Sequence, residues 1–154
     1  MLARIDTITD AELVIDRSFN APVALVFRLW SDGDLLKRWF GPKDFICPSF
    51  TVDFHVGGEY RGMIASSQYG DSWFGGTFKK IVPNQQIVMT FAWDEGSGLT
   101  DLTDIIITFD EDGGVTTQRF HQAPFRSVAD RDSHVGGWTE CLDKQVAYLG
   151  DHRN

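Results

Sequence analysis

Basic residues are few in this sequence and nowhere form a run. Its 154 residues include 14 Lys and Arg against 22 Asp and Glu, so the formal net charge at pH 7 is -8. A protein that binds a nucleic-acid backbone or an anionic membrane surface needs the opposite balance of charge. We therefore expect neither nucleic acid nor membrane among its partners.

Cysteine and long apolar runs are also scarce. The two cysteines, Cys47 and Cys141, are far apart and form no Cys-x-x-Cys pair, which predicts buried free thiols in a reducing cytoplasm. No stretch approaches the roughly 20 apolar residues of a membrane-spanning helix, and residues 1–10 contain no apolar run of signal-peptide length. None of the histidines has a metal-binding spacing. The sequence thus predicts a cytoplasmic protein without a bound metal or other cofactor.

Aromatic residues are abundant by contrast. The chain has 12 Phe, 5 Trp and 3 Tyr within a hydrophobic content of 42%, a composition that indicates a globular protein rather than a disordered one. These side chains provide enough bulky surface to fill a core or to line a pocket. We expect one domain over residues 1–154.

The first forty residues predict a strand and two short helices. Residues 12–19 are rich in β-branched and apolar side chains, as strands are. Pro22 suits the first turn of a helix, because its missing N–H has no intrahelical partner there. That helix reaches about Trp30, and a second one over residues 35–40 ends at Gly41-Pro42.

Beyond residue 42 the apolar period changes from 3.6 to 2, which predicts strands. The predicted strands cover residues 50–54, 59–65, 75–82, 86–93, 102–109 and 115–122. Their connections are short, so the sheet is expected to be antiparallel. The loop at 94–101 contains Gly96-Ser97-Gly98 and is predicted to be more mobile than the loop at 66–72.

The last segment predicts one long amphipathic helix. Ser127, followed three residues later by Asp130, matches a capping box at its start. Apolar residues then recur at steps of three and four, at Val135, Trp138, Leu142, Val146 and Leu149. A helix of about 20 residues is about 30 Å long, enough to cross a small sheet. The predicted fold class is α+β, with this helix packed across a curved antiparallel sheet.

A series of short blocks spread over residues 12–149 strengthens this interpretation. The blocks are Phe19-Asn20-Ala21-Pro22, Val26-Phe27, Leu35-Leu36-Lys37-Arg38-Trp39-Phe40-Gly41-Pro42, Val52-Asp53, Gly57-Gly58-Glu59-Tyr60-Arg61, Gly76-Thr77-Phe78, Val82-Pro83, Thr90-Phe91-Ala92-Trp93 and His134-Val135-Gly136-Gly137-Trp138 with Leu142. In this order they resemble the START-like (SRPBCC) superfamily, and within it the branch named for activator of heat-shock-protein-90 ATPase homologues. The resemblance implies a helix-grip fold and a cavity between sheet and helix that takes a small hydrophobic molecule in many relatives.

The candidate ligand-binding residues are mostly aromatic. Met89, Phe91 and Trp93 have one parity in their strand and so share a face, which Phe78 on the neighbouring strand could join. The full apolar set is Trp39, Phe54, Phe78, Met89, Phe91, Trp93, Trp138 and Leu142. Packing in the core is the alternative for each of them, whereas a strongly curved sheet under one helix favours a pocket with apolar walls.

Arg119 and His121 complete the candidate set. If their parity faces inward, they place a cation and a titratable imidazole in an otherwise apolar cavity. Family members usually carry apolar residues at the positions of Thr117 and Arg119, so this strand departs from the family pattern. The alternative register has Phe120 inward and Arg119 in solvent.

The remaining polar candidates are expected to have structural roles, and the two glycines of the last helix allow more than one interpretation. His134, His55 and Arg61 are expected to be structural, with Arg61 able to pair with Asp53. Two glycines inside a helix are unfavourable, so Gly136-Gly137 indicates close backbone approach, room at the mouth of the cavity, or a hinge.

These features favour a domain that binds a small hydrophobic molecule. One alternative is a cyclase- or hydratase-like enzyme that uses His121 with Asp53 as acid and base, although no GxSxG or phosphate-binding glycine loop is present. The other alternative is a co-chaperone or regulatory domain that contacts a chaperone or another protein. A homodimer is compatible with the sequence but not indicated by it.

Overall fold

The computed structural model describes residues 12–96 and 98–152, in which seven strands and three helices alternate with short turns. The predictions for residues 1–10 and for Ser97 lie outside the described residues. The strands are β1 (Leu13–Phe19), β2 (Ile46–Val52), β3 (Glu59–Ser66), β4 (Gly70–Val82), β5 (Gln86–Asp94), β6 (Leu99–Asp112) and β7 (Val115–Ala123). The helices are α1 (Val23–Arg28), α2 (Gly33–Trp39) and α3 (Val128–His152).

The seven strands form one curled antiparallel sheet, which confirms the predicted α+β helix-grip fold. Strands β2 to β7 follow one another as neighbours, and β1 joins the far side beside β7, giving the order β1-β7-β6-β5-β4-β3-β2. Leu13 pairs with Gln122 and Phe19 with Thr116 in that closing contact. The first and last strands are therefore held together along their whole length.

Several strands are longer or shorter than the sequence predicts. β4 begins at Gly70 and β6 at Leu99, because the polar segments before the predicted strands continue the hydrogen-bonded ladder. β2 ends at Val52 instead of Phe54. There the backbone turns, with the N–H of His55 bonded to the carbonyl of Asp53 at 2.9 Å. Polar loops and strand ends thus look alike in the sequence.

α3 begins where the sequence predicts and buries one face against the sheet. The hydroxyl of Ser127 accepts the backbone N–H of Asp130 at 3.1 Å, which caps the first turn. The ring of Trp138 lies 4.5 Å from Phe120, 5.3 Å from Phe40 and 5.8 Å from Phe91, measured between ring centroids. In the described part of the chain, no helix is both long and apolar enough to cross a membrane.

The even-numbered residues of β7 face the core, whereas Arg119 and His121 belong to the other face. Its inward side chains are fully buried, and they are Thr116, Gln118, Phe120 and Gln122. Phe120 sets this parity because it is the one large apolar side chain of the strand that packs under α3. Of the two registers that the sequence leaves open, the structure has the one with Phe120 inward. Arg119 and His121 do not line the cavity, so their place among the candidate ligand-binding residues was wrong.

On the outer face of β7 the two residues contact acidic side chains of β1 and of the residue before it. Nε of Arg119 lies 2.9 Å from Asp16, and Nε2 of His121 lies 2.9 Å from Glu12. Hydrogen bonding from the Arg119 guanidinium lowers the pKa of Asp16 below its ordinary value. These contacts tie β1 to β7 and contribute nothing to the interior.

Buried polar side chains on β7 find partners on the helical side of the core. The indole N–H of Trp30 donates to Oε1 of Gln118 at 2.8 Å, and Nε2 of Gln118 donates to Gln145 on α3 at 2.9 Å. The hydroxyl of Thr116 donates to the carbonyl of Ala21 at 2.7 Å. Such bonds offset the free-energy penalty of burying polar groups.

Replacing Gly62 by alanine should destabilise the fold. A Cβ on Gly62 would lie 2.6 Å from the ring of Phe74 and 2.8 Å from that of Phe50, and both rings are buried against other aromatic rings. Overpacking of this kind costs about 1–3 kcal/mol. We expect that loss for Gly62→Ala in urea denaturation. Gly136→Ala is the control, since a Cβ there meets no atom within 4 Å; equal stability of the two variants would contradict the prediction.

Candidate functional site

A cavity of about 440 Å³ lies between the first half of α3 and the sheet. Its deeper wall is aromatic and its rim is charged. The aromatic residues are Phe40, Phe45, Phe91, Trp93, Phe125 and Trp138, and the charged ones are Glu95, Asp101, Arg126 and Asp130. An apolar body with polar groups at one end is the usual form of a small-molecule pocket, and the volume is within the range of about 300–1,000 Å³ for such sites.

The start of β6 brings one acidic group to the rim through a bulge. Phe91 pairs with Thr103 but Trp93 pairs with Thr100, so β6 contains one extra residue at this point. Asp101 lies within the bulge and has a left-handed backbone, with φ of 57°. Bulges redirect side chains at sheet ends, and here the carboxylate of Asp101 contacts Nη1 of Arg126 at 3.2 Å.

His134 forms part of the wall and is held at both ring nitrogens. The indole N–H of Trp93 donates to Nε2 of His134 at 3.0 Å, and Nδ1 lies 2.8 Å from the carbonyl oxygen of Asp130. An indole N–H can only donate, so Nε2 carries no proton and Nδ1 is the donor to the carbonyl. His134 therefore fixes the orientation of Trp93 and leaves neither nitrogen free for a bound molecule.

A second polar chain runs through the wall opposite α3. The hydroxyl of Thr103 donates to the carbonyl of Phe91 at 3.0 Å, and Nε2 of Gln122 donates to that hydroxyl oxygen at 2.8 Å. Thr103 and Gln122 are both buried and both belong to the cavity wall. Thr103 and Gln122 are thus the polar side chains in the fully buried part of the wall.

The rim carries more negative than positive charge. Arg126 is the one cationic side chain among the described residues that line the cavity, and it is already paired with Asp101. Glu95 and Asp130 add two further carboxylates. Behind the rim, Asp94 accepts the N–H groups of Gly96 and Gly98 at 2.9 and 3.2 Å, which fixes the turn that carries Glu95.

A family model described as activator of Hsp90 ATPase homolog 1-like protein matches residues 20–150. The chain belongs to this family. The match confirms the resemblance to the START-like superfamily. No curated protein matches the chain significantly.

Several solved structures have the same fold as this chain at low sequence identity. A protein of Chromobacterium violaceum is 24% identical with a TM-score of 0.81, over 92% of this chain and 98% of that one. The AHSA1 protein of Silicibacter pomeroyi is 22% identical with a TM-score of 0.82, over 91% and 98%. An AHSA1-like protein of Aeromonas hydrophila is 21% identical with a TM-score of 0.74, over 91% and 92%.

The eight apolar candidates from the sequence divide between cavity and core. Phe91, Trp93 and Trp138 line the cavity of this AHSA1-like chain. Phe78 and Met89 border a separate void of about 10 Å³, too small for a ligand. The remaining three pack in the core, and they are Trp39, Phe54 and Leu142. Sharing an inward face is therefore necessary for a place in the wall but not sufficient.

Sequence reasoning missed His134 and Gln122 as wall residues. His134 precedes Trp138 by four residues, so the two share a helix face, and that spacing could have identified it. Gln122 shares the parity of Phe120, but the polar composition of β7 on both faces concealed it. Both omissions concern polar residues, whose inward or outward direction the apolar pattern does not reveal.

The structure also decides three expectations about side chains and glycines that the sequence left open. Arg61 pairs with Asp94 at 3.0 Å instead of Asp53, and Asp53 pairs with His55 at 2.8 Å. His121 and Asp53 are therefore not assembled as an acid–base pair in the cavity. Gly136 and Gly137 make no close backbone approach, since a Cβ on either meets no atom within 4 Å, and Gly137 lies in the cavity wall.

Lowering the pH should reduce the contribution of Asp94 to the free energy of unfolding. Hydrogen bonds from the backbone N–H of Gly96 and from Arg61 lower the pKa of Asp94 below its ordinary value of 3.8. A carboxyl group with a lowered pKa stabilises the fold above its unfolded pKa, and this contribution is lost as the pH falls through the folded pKa. We expect Asp94→Asn to be less stable than wild type at pH 7 and the difference to shrink below pH 3.8. Urea denaturation of both proteins from pH 7 to 2.5 measures this difference in stability. A difference that does not change with pH would contradict the prediction.

Proposed function

We propose that this AHSA1-like chain binds a small hydrophobic molecule in the cavity between the sheet and α3. The supporting observation is the aromatic wall, with Phe91, Trp93 and Trp138 facing a space of about 440 Å³. Burial of apolar ligand surface contributes about 25 cal/mol per Å². Aromatic rings add edge and face contacts with a flat ligand.

The wall is organised for binding more than for proton transfer. A general acid or base must reach the reacting atom through a free proton site. Both nitrogens of His134 already have partners, and His121 lies on the outer face of the sheet. The enzyme alternative therefore has less support than ligand binding.

A cytoplasmic location is part of the same proposal. Cys47 and Cys141 are buried free thiols. Burial raises the pKa of Cys47 to about 11 and that of Cys141 to about 12, so both stay protonated and unreactive at neutral pH. Free thiols of this kind are typical of reducing compartments. A homodimer and a chaperone partner stay open predictions from the sequence.

Filling the cavity from α3 should abolish binding without unfolding the domain. In Gly137→Leu the new side chain projects from the cavity wall, where a Cβ meets no atom within 4 Å. We expect the affinity for the neutral fluorescent probe N-phenyl-1-naphthylamine to fall by at least about tenfold. The free energy of unfolding should rise by about 0.5–1 kcal/mol, because a helix-interior glycine is removed.

Gly136→Leu is the matched control. Gly136 is the adjacent helix glycine, is exposed and does not line the cavity. The Gly136→Leu variant should gain similar helix stability and keep the wild-type affinity for N-phenyl-1-naphthylamine. The fluorescence of this probe and the NMR shift of the Trp93 indole N–H measure the binding. Equal effects of the two leucines on affinity, or no binding by wild type, would count against the proposed function.

A further inference from the structure

The side-chain amide of Gln122 has a defined orientation. Thr103 uses its hydroxyl hydrogen on the carbonyl of Phe91, so its oxygen can only accept from Gln122. The amide nitrogen of Gln122 must therefore face Thr103. Its carbonyl oxygen, Oε1, points the other way and cannot be exchanged with the nitrogen by rotation of the amide.

Oε1 of Gln122 has no hydrogen-bond donor among the residues that the structure describes. The side chain is fully buried, yet Gln122 belongs to the cavity wall. Because an unsatisfied buried acceptor is unfavourable, a molecule that donates to it gains more than one that offers only apolar contact. Because Gln122 lines the cavity, a molecule bound there lies beside this side chain.

The other buried polar groups of β7 differ from Gln122 in this respect. Thr116 donates to Ala21, and Oε1 of Gln118 accepts from Trp30. Nε2 of Gln145 and Nδ1 of His121 also lack partners in the described part of the chain, but neither residue lines the cavity. Gln122 thus combines an open acceptor with a position in the cavity wall.

The charge distribution selects against an anionic ligand. Arg119, the cation expected in the interior, lies outside and pairs with Asp16. Arg126 at the rim is paired with Asp101. A carboxylate that entered the cavity would lose its hydration and face Glu95 and Asp130 without a free cation among the lining residues.

We propose that the cavity takes an uncharged aromatic compound with a hydroxyl group, whose O–H donates to Oε1 of Gln122 while its ring lies against Phe91, Trp93 and Trp138. This inference rests on the proposed function, since it specifies the ligand of the same cavity. Such a ligand needs one hydrogen-bond donor at the end that enters the cavity, attached to a flat apolar ring system. It excludes fatty acids and other anionic amphiphiles as preferred ligands.

Four naphthalene compounds of similar size test the proposal at pH 7. They are 2-naphthol, 2-methoxynaphthalene, naphthalene and 2-naphthoate, with dissociation constants from calorimetry and from quenching of tryptophan fluorescence. We expect 2-naphthol to bind about tenfold more tightly than the methyl ether and naphthalene, the effect of one hydrogen bond to a buried acceptor. 2-Naphthoate should bind more weakly than naphthalene.

Gln122→Met removes the acceptor with an unbranched side chain of similar length. In this variant the preference for 2-naphthol over the ether should fall to about one. The comparison of ligands on the wild-type protein needs no variant, so it decides the proposal even if Gln122→Met fails to fold.

The outcomes separate the two proposals. Equal binding of naphthol, ether and naphthalene by wild type would mean that solvent serves Oε1, which overturns the inference but leaves hydrophobic binding intact. Tight binding of 2-naphthoate would overturn the charge argument. If none of the four compounds nor N-phenyl-1-naphthylamine binds, the proposed function itself fails, and the inference fails with it.

Discussion

One helix must cover the concave face of a seven-stranded sheet, and the rest of the structure follows from this constraint. A helix with its side chains is about 10–12 Å wide, whereas seven strands about 4.8 Å apart span about 29 Å. The sheet therefore curls, and α1 and α2 cover part of the face that α3 leaves open. The space that none of the three helices fills is the cavity, bounded by Phe91 and Trp93 on β5 and by Trp138 on α3.

The fold could be predicted because its signals are periodic. The composition of residues 12–19 predicts the first strand, and alternation of apolar residues predicts the six strands after the short helices. The spacing of Trp138, Leu142 and Leu149 predicts α3. The parity of β7 could not be predicted, because three of its four buried side chains are polar. Gln118 is buried because Trp30, 88 residues earlier, donates to it. A contact of that range leaves no periodic signal.

The sequence predicts half of the aromatic wall of the candidate site, because Phe40, Phe45 and Phe125 line it as well. Phe91, Trp93 and Trp138 combine bulk with an inward face, which local spacing reveals. The roles of His134 and Gln122 depend on partners in other elements, namely Trp93 on β5 and Thr103 on β6. Hydrogen bonds between distant strands and helices decide the polar character of the cavity, and so sequence spacing misses them.

The pairing of β1 with β7 has a consequence for how the chain folds. Leu13 pairs with Gln122, so this contact closes a loop of more than a hundred residues, whereas β2 to β7 pair with strands that are near in sequence. Long loops carry a larger closure entropy and slow the formation of their contacts. During synthesis β1 has no partner strand until β7, which ends at Ala123, has left the ribosome. Until then the free edge of the meander has no strand to protect it from pairing with another chain.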